Sequence, residues 1–162
     1  MSQPWQVRVA TPEDGDLLAS FSCVGAGTGS SRGAVWEQEV QEFVRTQLSS
    51  WAFDPYAQDG DPRLLLVVTT VTGELVAVGA HERVMLHDAA SGERLSATKI
   101  EVVAVATVWQ GRRFAADAGE GAGPRVSDVV MSAIMADVAS RVPPRDAHVL
   151  AVVHQGNARS LA

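Results

Sequence analysis

The run IEVVAVATV, residues 100–108, places the tightest limit on how this chain can fold. It is apolar at nearly every position. A strand built from it can leave neither face to water, so it needs a covering layer on both sides. The run then stops in WQGRR, residues 109–113: a large aromatic, a glycine and two arginines. Burying two guanidinium groups without partners is expensive. Arg112 and Arg113 therefore mark either a wet strand end or a place that meets an anion.

The flanking sequence supplies the layers that such a strand needs. WQVRVA, 5–10, alternates as a first strand, and Thr11-Pro12 with Asp14 reads as a capped helix start. GAGTGSSRG, 25–33, is a plain loop: it follows a helix and lacks the lysine of a phosphate loop. Residues 34–48 change to helical spacing, with Trp36, Val40, Phe43, Val44 and Leu48 on one side. WAFDPYAQDGDP interrupts it. Trp51, Phe53 and Tyr56 there read as anchors to the core, with lining of an acceptor pocket as the alternative. RLLLVVTT, VTGELVAVGAHERVM and SATKIEVVAVATVW are separated by short turn-rich links, so 64–109 reads as an antiparallel three-strand meander. Residues 127–140 predict a helix capped by Ser127, with Val130, Ile134, Met135 and Val138 as its buried stripe. AHVLAVV, 147–153, is a further strand. Strand, helix, strand implies a right-handed crossover to a parallel neighbour. The expectation is one α/β domain over 1–162 with a mixed sheet.

Composition narrows the function. A formal net charge of −6 with 20% charged residues is globular and acidic, which argues against general nucleic-acid binding. It leaves room for a local basic site. Lys99 is the only lysine among 13 basic residues. No basic segment followed by an apolar core opens the chain, and no apolar run nears the length of a membrane span, so a cytoplasmic location without membrane contact is expected. The lone Cys23 cannot form an internal bridge and reads as a small buried residue. His81, His87, His148 and His154 are too scattered for a metal set, and no metal is expected. No Gly-x-Gly-x-x-Gly follows the first strand, and no GKS or GKT occurs, which weighs against a nucleotide enzyme.

The order of elements, with VAVATVWQGRRF and VVHQGNARSLA at their places, resembles the GNAT family of acyl-CoA-dependent N-acetyltransferases. The resemblance implies an acyl-CoA N-acyltransferase-like fold, acetyl-CoA as cosubstrate and an amine acceptor on a small molecule or a protein. By the same resemblance, the backbone at Val103 and Val105 faces the pantetheine. Gln110, Gly111 and Arg112 match the start of the pyrophosphate turn, and Ala115 matches its small residue. Asn157 matches the asparagine that opens the helix after the next strand. Arg113 stands where the family has glycine, and Ala116 to Val126 intervene before the helix. The family's general-acid tyrosine lies beyond Ala162, so the chain reads as lacking the usual C-terminal portion. With that portion absent, the apolar last strand invites a homodimer or poor solubility.

The chemistry points to few residues. Either arginine can add a charge-assisted contact to backbone donors at the glycine turn. Asp128 reads as an ordinary first-turn acid that would repel a phosphate there, so the phosphate is expected nearer the 110–115 turn or in contact with Arg125. Glu101 interrupts the central strand, is expected on the face of Val103 and Val105, and is the candidate base; an ion pair with Lys99 is the alternative. The leading function is acyl transfer from coenzyme A to an amine. The alternative is a non-catalytic, degenerate acyltransferase-fold domain acting in ligand binding or protein assembly.

Overall fold

The computed structural model describes residues 4–25, 32–56, 60–115, 122–143 and 147–152. Five strands form one sheet in the order β1 (Trp5–Val9), β2 (Arg63–Thr69), β3 (Leu75–His87), β4 (Arg94–Val105), β5 (Val149–Ala151). The first four pair antiparallel and β5 runs parallel to β4. This is the mixed sheet expected, an antiparallel meander followed by a crossover, and it is the acyl-CoA N-acyltransferase-like topology.

Helices cover both faces. On one side lie α1 (Gly15–Ala19), α2 (Arg32–Thr46) and α3 (Leu48–Phe53), packed on Leu64, Leu66, Val78, Val102 and Ala104. On the other side lies α4 (Val126–Arg141), packed on Leu65, Val67, Val76 and Ala77, with Ile100, Val103 and Val105 partly buried beneath it. Gly79 sets the approach of α4: a Cβ there would come within 2.8 Å of Val130 Cγ2 and 2.9 Å of Ile134 Cδ1. Val130 and Ile134 are fully buried, and truncating Ile134 to alanine costs about 2–5 kcal/mol.

Several boundaries differ from the sequence expectation, each for a local reason. The helix expected over 34–48 ends at Thr46, whose hydroxyl donates to the Glu42 carbonyl, and α3 restarts at Leu48. Trp51 and Phe53 do anchor to the core, while Tyr56 is exposed. The capping box at Thr11 is present, and Arg8 holds the Asp14 carboxyl down at about 2 through a bidentate pair. The crossover helix begins at Val126 with Arg125 at its cap, so Ser127 is a first-turn residue and no side chain caps the end. Met135 is 45% exposed; Val126 and Val129 complete the stripe instead. β5 is only three residues long, and Val152 beyond it is exposed.

The central strand also stops early, at Val105 and not at Trp109. Thr107 leaves the ladder because its N–H donates to the Ser22 carbonyl and its hydroxyl to the Val24 carbonyl. Thr107–Trp109 form a 3₁₀ turn, and Val108 is exposed.

Candidate functional site

The end of β4 is a turn built around Gly111, whose φ is +70°, a conformation costly to residues with a Cβ. Trp109 and Phe114 hold the turn in place. Phe114 is buried, with its ring 5.3 Å from that of Trp5 and 5.5 Å from that of Trp109. Beyond Phe114 the chain departs and comes back through a short antiparallel clip. Arg113 bridges Arg125, the Phe114 N–H donates to the Pro124 carbonyl, and Arg113 Nη1 donates to the Gly123 carbonyl. The clip brings Arg125 beside Arg112 and Arg113.

The result is a cavity of about 350 Å³ lined by Val105, Trp109, Gly111, the three arginines and the first turn of α4 at Val126 and Ser127. All three arginines are exposed, and among the described residues none pairs with a carboxylate. Three exposed guanidinium groups beside a helix start are a donor set suited to a phosphorylated anion, while of the first-turn amides the Val126 N–H is already given to the Arg112 carbonyl and the Asp128 N–H to the Arg125 carbonyl. A wider apolar groove of about 590 Å³ lies between α4 and the β1–β2 face, but its charged groups are Asp128 and Asp137, the wrong sign for such a ligand.

At the other end of the same stretch of β4 sits Glu101. The β3–β4 register jumps there: Ala80 pairs with Val102 and His81 with Ile100, so Glu101 is the extra residue of a β-bulge. This corrects the expected face. Ile100 and Val103 both pack toward α4, whereas Glu101 meets Lys99, with Nζ 2.6 Å from Oε1, on the side opposite His81. The ion pair weighed as an alternative to a base role is therefore present. Pairing with β5 ends at Ile100–Ala151. Among the described residues, no strand hydrogen-bonds β4 from Glu101 to Val105 on that edge.

The other expected residues divide. Val105, Gly111, Arg112 and Arg113 come together in the cavity, and the Val103 backbone lies on the unpaired stretch between cavity and bulge. Gln110 points elsewhere: its side-chain amide donates to the Cys23 carbonyl at 2.5 Å and the Val105 carbonyl at 3.3 Å, tying the turn to the loop before α2. Ala115 is exposed at the edge of the described chain, and Asn157 and His154 lie outside it. Cys23 is buried, as expected, and its thiol is pushed up to about 11, first by burial and then by Glu37. Asp128 is exposed in the first turn of α4.

Two neighbouring residues of β3 have surroundings that the sequence did not reveal. Glu82 lies opposite Lys99 and beside Glu101; the turn that pairs His87 with Arg94 already sets that register. His81 is fully buried in the middle of β3. Burial holds it toward the neutral form against the pull of Asp137, whose Oδ2 lies 3.1 Å from Nε2. The two atoms are close but not aligned for a hydrogen bond. Among the described residues no cluster could hold a metal ion, and no helix is long and apolar enough to cross a membrane.

No family model matches the sequence, and no curated protein matches it. Solved structures do match in fold. A mutant AtaT toxin bound to the C-terminus of the antitoxin AtaR and acetyl-CoA superposes with a TM-score of 0.65 at 12% identity, over 98% of this chain and 81% of that one. A mutant of the BH1408 protein from Bacillus halodurans gives 0.60 at 17% identity, over 96% and 87%. The aminoglycoside 6'-N-acetyltransferase AAC(6')-Ih from Acinetobacter baumannii gives 0.52 at 10% identity, over 97% and 84%. At these identities the likeness is one of fold.

Proposed function

We propose that the protein transfers an acyl group, acetyl in the first instance, from acyl-CoA to an amine of a small molecule or protein. The observation that carries this reading is the cavity at the end of β4, where Gly111, the start of α4 and Arg112, Arg113 and Arg125 converge. The pyrophosphate of coenzyme A fits that donor set. The unpaired edge of β4 offers backbone groups at Val103 and Val105 to an amide-bearing arm running toward the bulge; the Val105 carbonyl is shared with Gln110. The acetyl-CoA held by the AtaT structure, a protein of the same fold, supports the choice of cosubstrate.

The bound thioester would supply the activated acyl carbon. Glu101 takes the proton from the amine nitrogen as the C–N bond forms and the C–S bond breaks. The thiolate leaves and takes its proton from solvent. Gly111 and the arginines hold the far end of the cosubstrate, so that its position, and not covalent chemistry by the protein, supplies much of the rate.

Calorimetric titration with acetyl-CoA and with free coenzyme A tests the reading, followed by turnover on a panel of amines. Both ligands are expected to bind, because the recognised anion is common to them. Absence of binding by either would overturn the assignment, and binding without turnover on any amine would leave the non-catalytic alternative.

A further inference from the structure

β3 brings a second acid to Glu101. The register sets Glu82 opposite Lys99, and the bulge turns Glu101 to the same side, so three ionisable groups from two strands meet. The Glu82 and Glu101 carboxyl groups lie near enough to act on each other directly. The chain before β2 closes against them: a Cβ on Gly60 would stand 3.0 Å from Glu82 Oε2. The Glu101 side chain is 17% exposed and that of Lys99 35%.

Two carboxylates in one half-buried place do not both ionise cheaply, so one retains a proton. Burial first, then the hydrogen bond with Glu101 and the charge of Glu101, hold the Glu82 carboxyl above its ordinary range, while Lys99 pulls it down. Glu101 and Lys99, both from β4, are the charged groups that act on Glu82 among the described residues. Glu82 is therefore the acid held toward its protonated form.

We propose that Glu82 is a positioning residue for Glu101: across the bulge its carboxylic acid donates a hydrogen bond to the Glu101 carboxylate, fixing the direction in which Glu101 meets an amine and holding the acid pair at one negative charge. The inference rests on Glu101 being the base. Glu82 keeps its proton throughout the reaction, and the proton leaving the amine goes to Glu101. Against Lys99 alone, exposed and mounted on a flexible stem, the Glu101 carboxylate would turn more freely.

The test uses Glu82→Gln and Glu82→Ala in the full chain, with the pH–rate profile, kcat and KM as readouts and a carboxyl NMR titration of the free protein beside them. Glutamine keeps an N–H donor toward Glu101 but cannot titrate. The acid limb of the wild-type profile is expected to spread over two coupled ionisations and to collapse to one in Glu82→Gln. Glu82→Ala is expected to lose about tenfold in kcat with KM for acetyl-CoA unchanged, and Glu82→Gln to recover most of that loss. In the NMR titration Glu82 should hold its proton above the usual carboxylate range, and Glu101→Gln should lower that pH. Identical profiles for all three proteins, or independent titration of the two acids, would overturn the proposal while leaving the acyltransferase reading intact. A wild-type protein inert on every amine overturns that reading and the positioning role with it; the NMR titration then still decides whether the two acids share a proton.

Discussion

The two ends of the stretch from Glu101 to Arg113 are built on opposite plans. At the far end, charge is exposed: Arg112, Arg113 and Arg125 reach into solvent around a turn fixed by Gly111 and the start of α4. At the near end, charge is half-buried and already partnered: Glu101 meets Lys99 and Glu82 on the inside of a bulge. About 13 Å of strand separates Glu101 from Val105. An exposed cluster holds an anion by several converging donors, so each can be lost at modest cost. A bulged acid pair acts through direction and desolvation, so a change of one atom is felt fully. One end suits holding and the other suits chemistry.

The sharpest way to break this contrast is Glu101→Gln. It preserves shape and removes the proposed base, so kcat on a good amine should fall about 100-fold or more, while acetyl-CoA affinity stays within about twofold. A loss of affinity equal to the loss of rate would mean that the two ends are not separate. Next in size is Gly111→Asp. A side chain at φ +70° costs about 1–2 kcal/mol of stability, and the new carboxylate faces the arginine cavity. Acetyl-CoA binding measured by calorimetry should weaken about 30-fold in a protein that still melts cooperatively, a change of about 2 kcal/mol. Undiminished binding by the folded variant would remove the turn from the ligand site.

The contrast was only half legible in the sequence. The meander could be read because strong local signals mark it: turns at Gly73 and Gly92, both at positive φ, between runs of β-branched residues. The far end could be read in part, since Gly111, Arg112 and Arg113 are contiguous. Arg125 could be read only as an alternative phosphate contact, and its return beside Arg113 could not. It depends on the clip that bridges Arg113 and on Phe114 packing between Trp5 and Trp109, contacts that no local period encodes. The bulge was hidden for a related reason. No glycine or proline marks Glu101, and strict alternation placed it with Val103 and Val105; the register jump between Ala80 and His81 is set by pairing across strands. Thr107 ended the strand early through bonds to Ser22 and Val24, more than eighty residues away in sequence. The Gln110 amide, which the resemblance assigns to the cofactor turn, is used by carbonyls that only the fold brings near.

The smallest expected effect is the one that tests the electrical side of the comparison most directly. Exposed charges separated by more than a Debye length are screened, and that length falls from about 10 Å at 0.1 M salt to about 3 Å at 1 M. The three arginines are exposed, so acetyl-CoA affinity should weaken about threefold to fivefold across that range. Arg112→Ala with Arg125→Ala should weaken binding at low salt by about tenfold and flatten most of the salt dependence, because Arg113 is then the one charged donor left among the residues lining the cavity. The acid pair sits in a different medium. Glu82 and Glu101 act on each other beside Lys99 in a half-buried place, where mobile ions screen poorly. The midpoints of the pH–rate profile should therefore move little over the same salt range. Affinity that ignores salt would move the anion away from the arginines. Midpoints that shift as steeply as the affinity would show that the acid pair is as open to solvent as the arginine turn, and the division of the strand into a holding end and a reacting end would lose its physical basis.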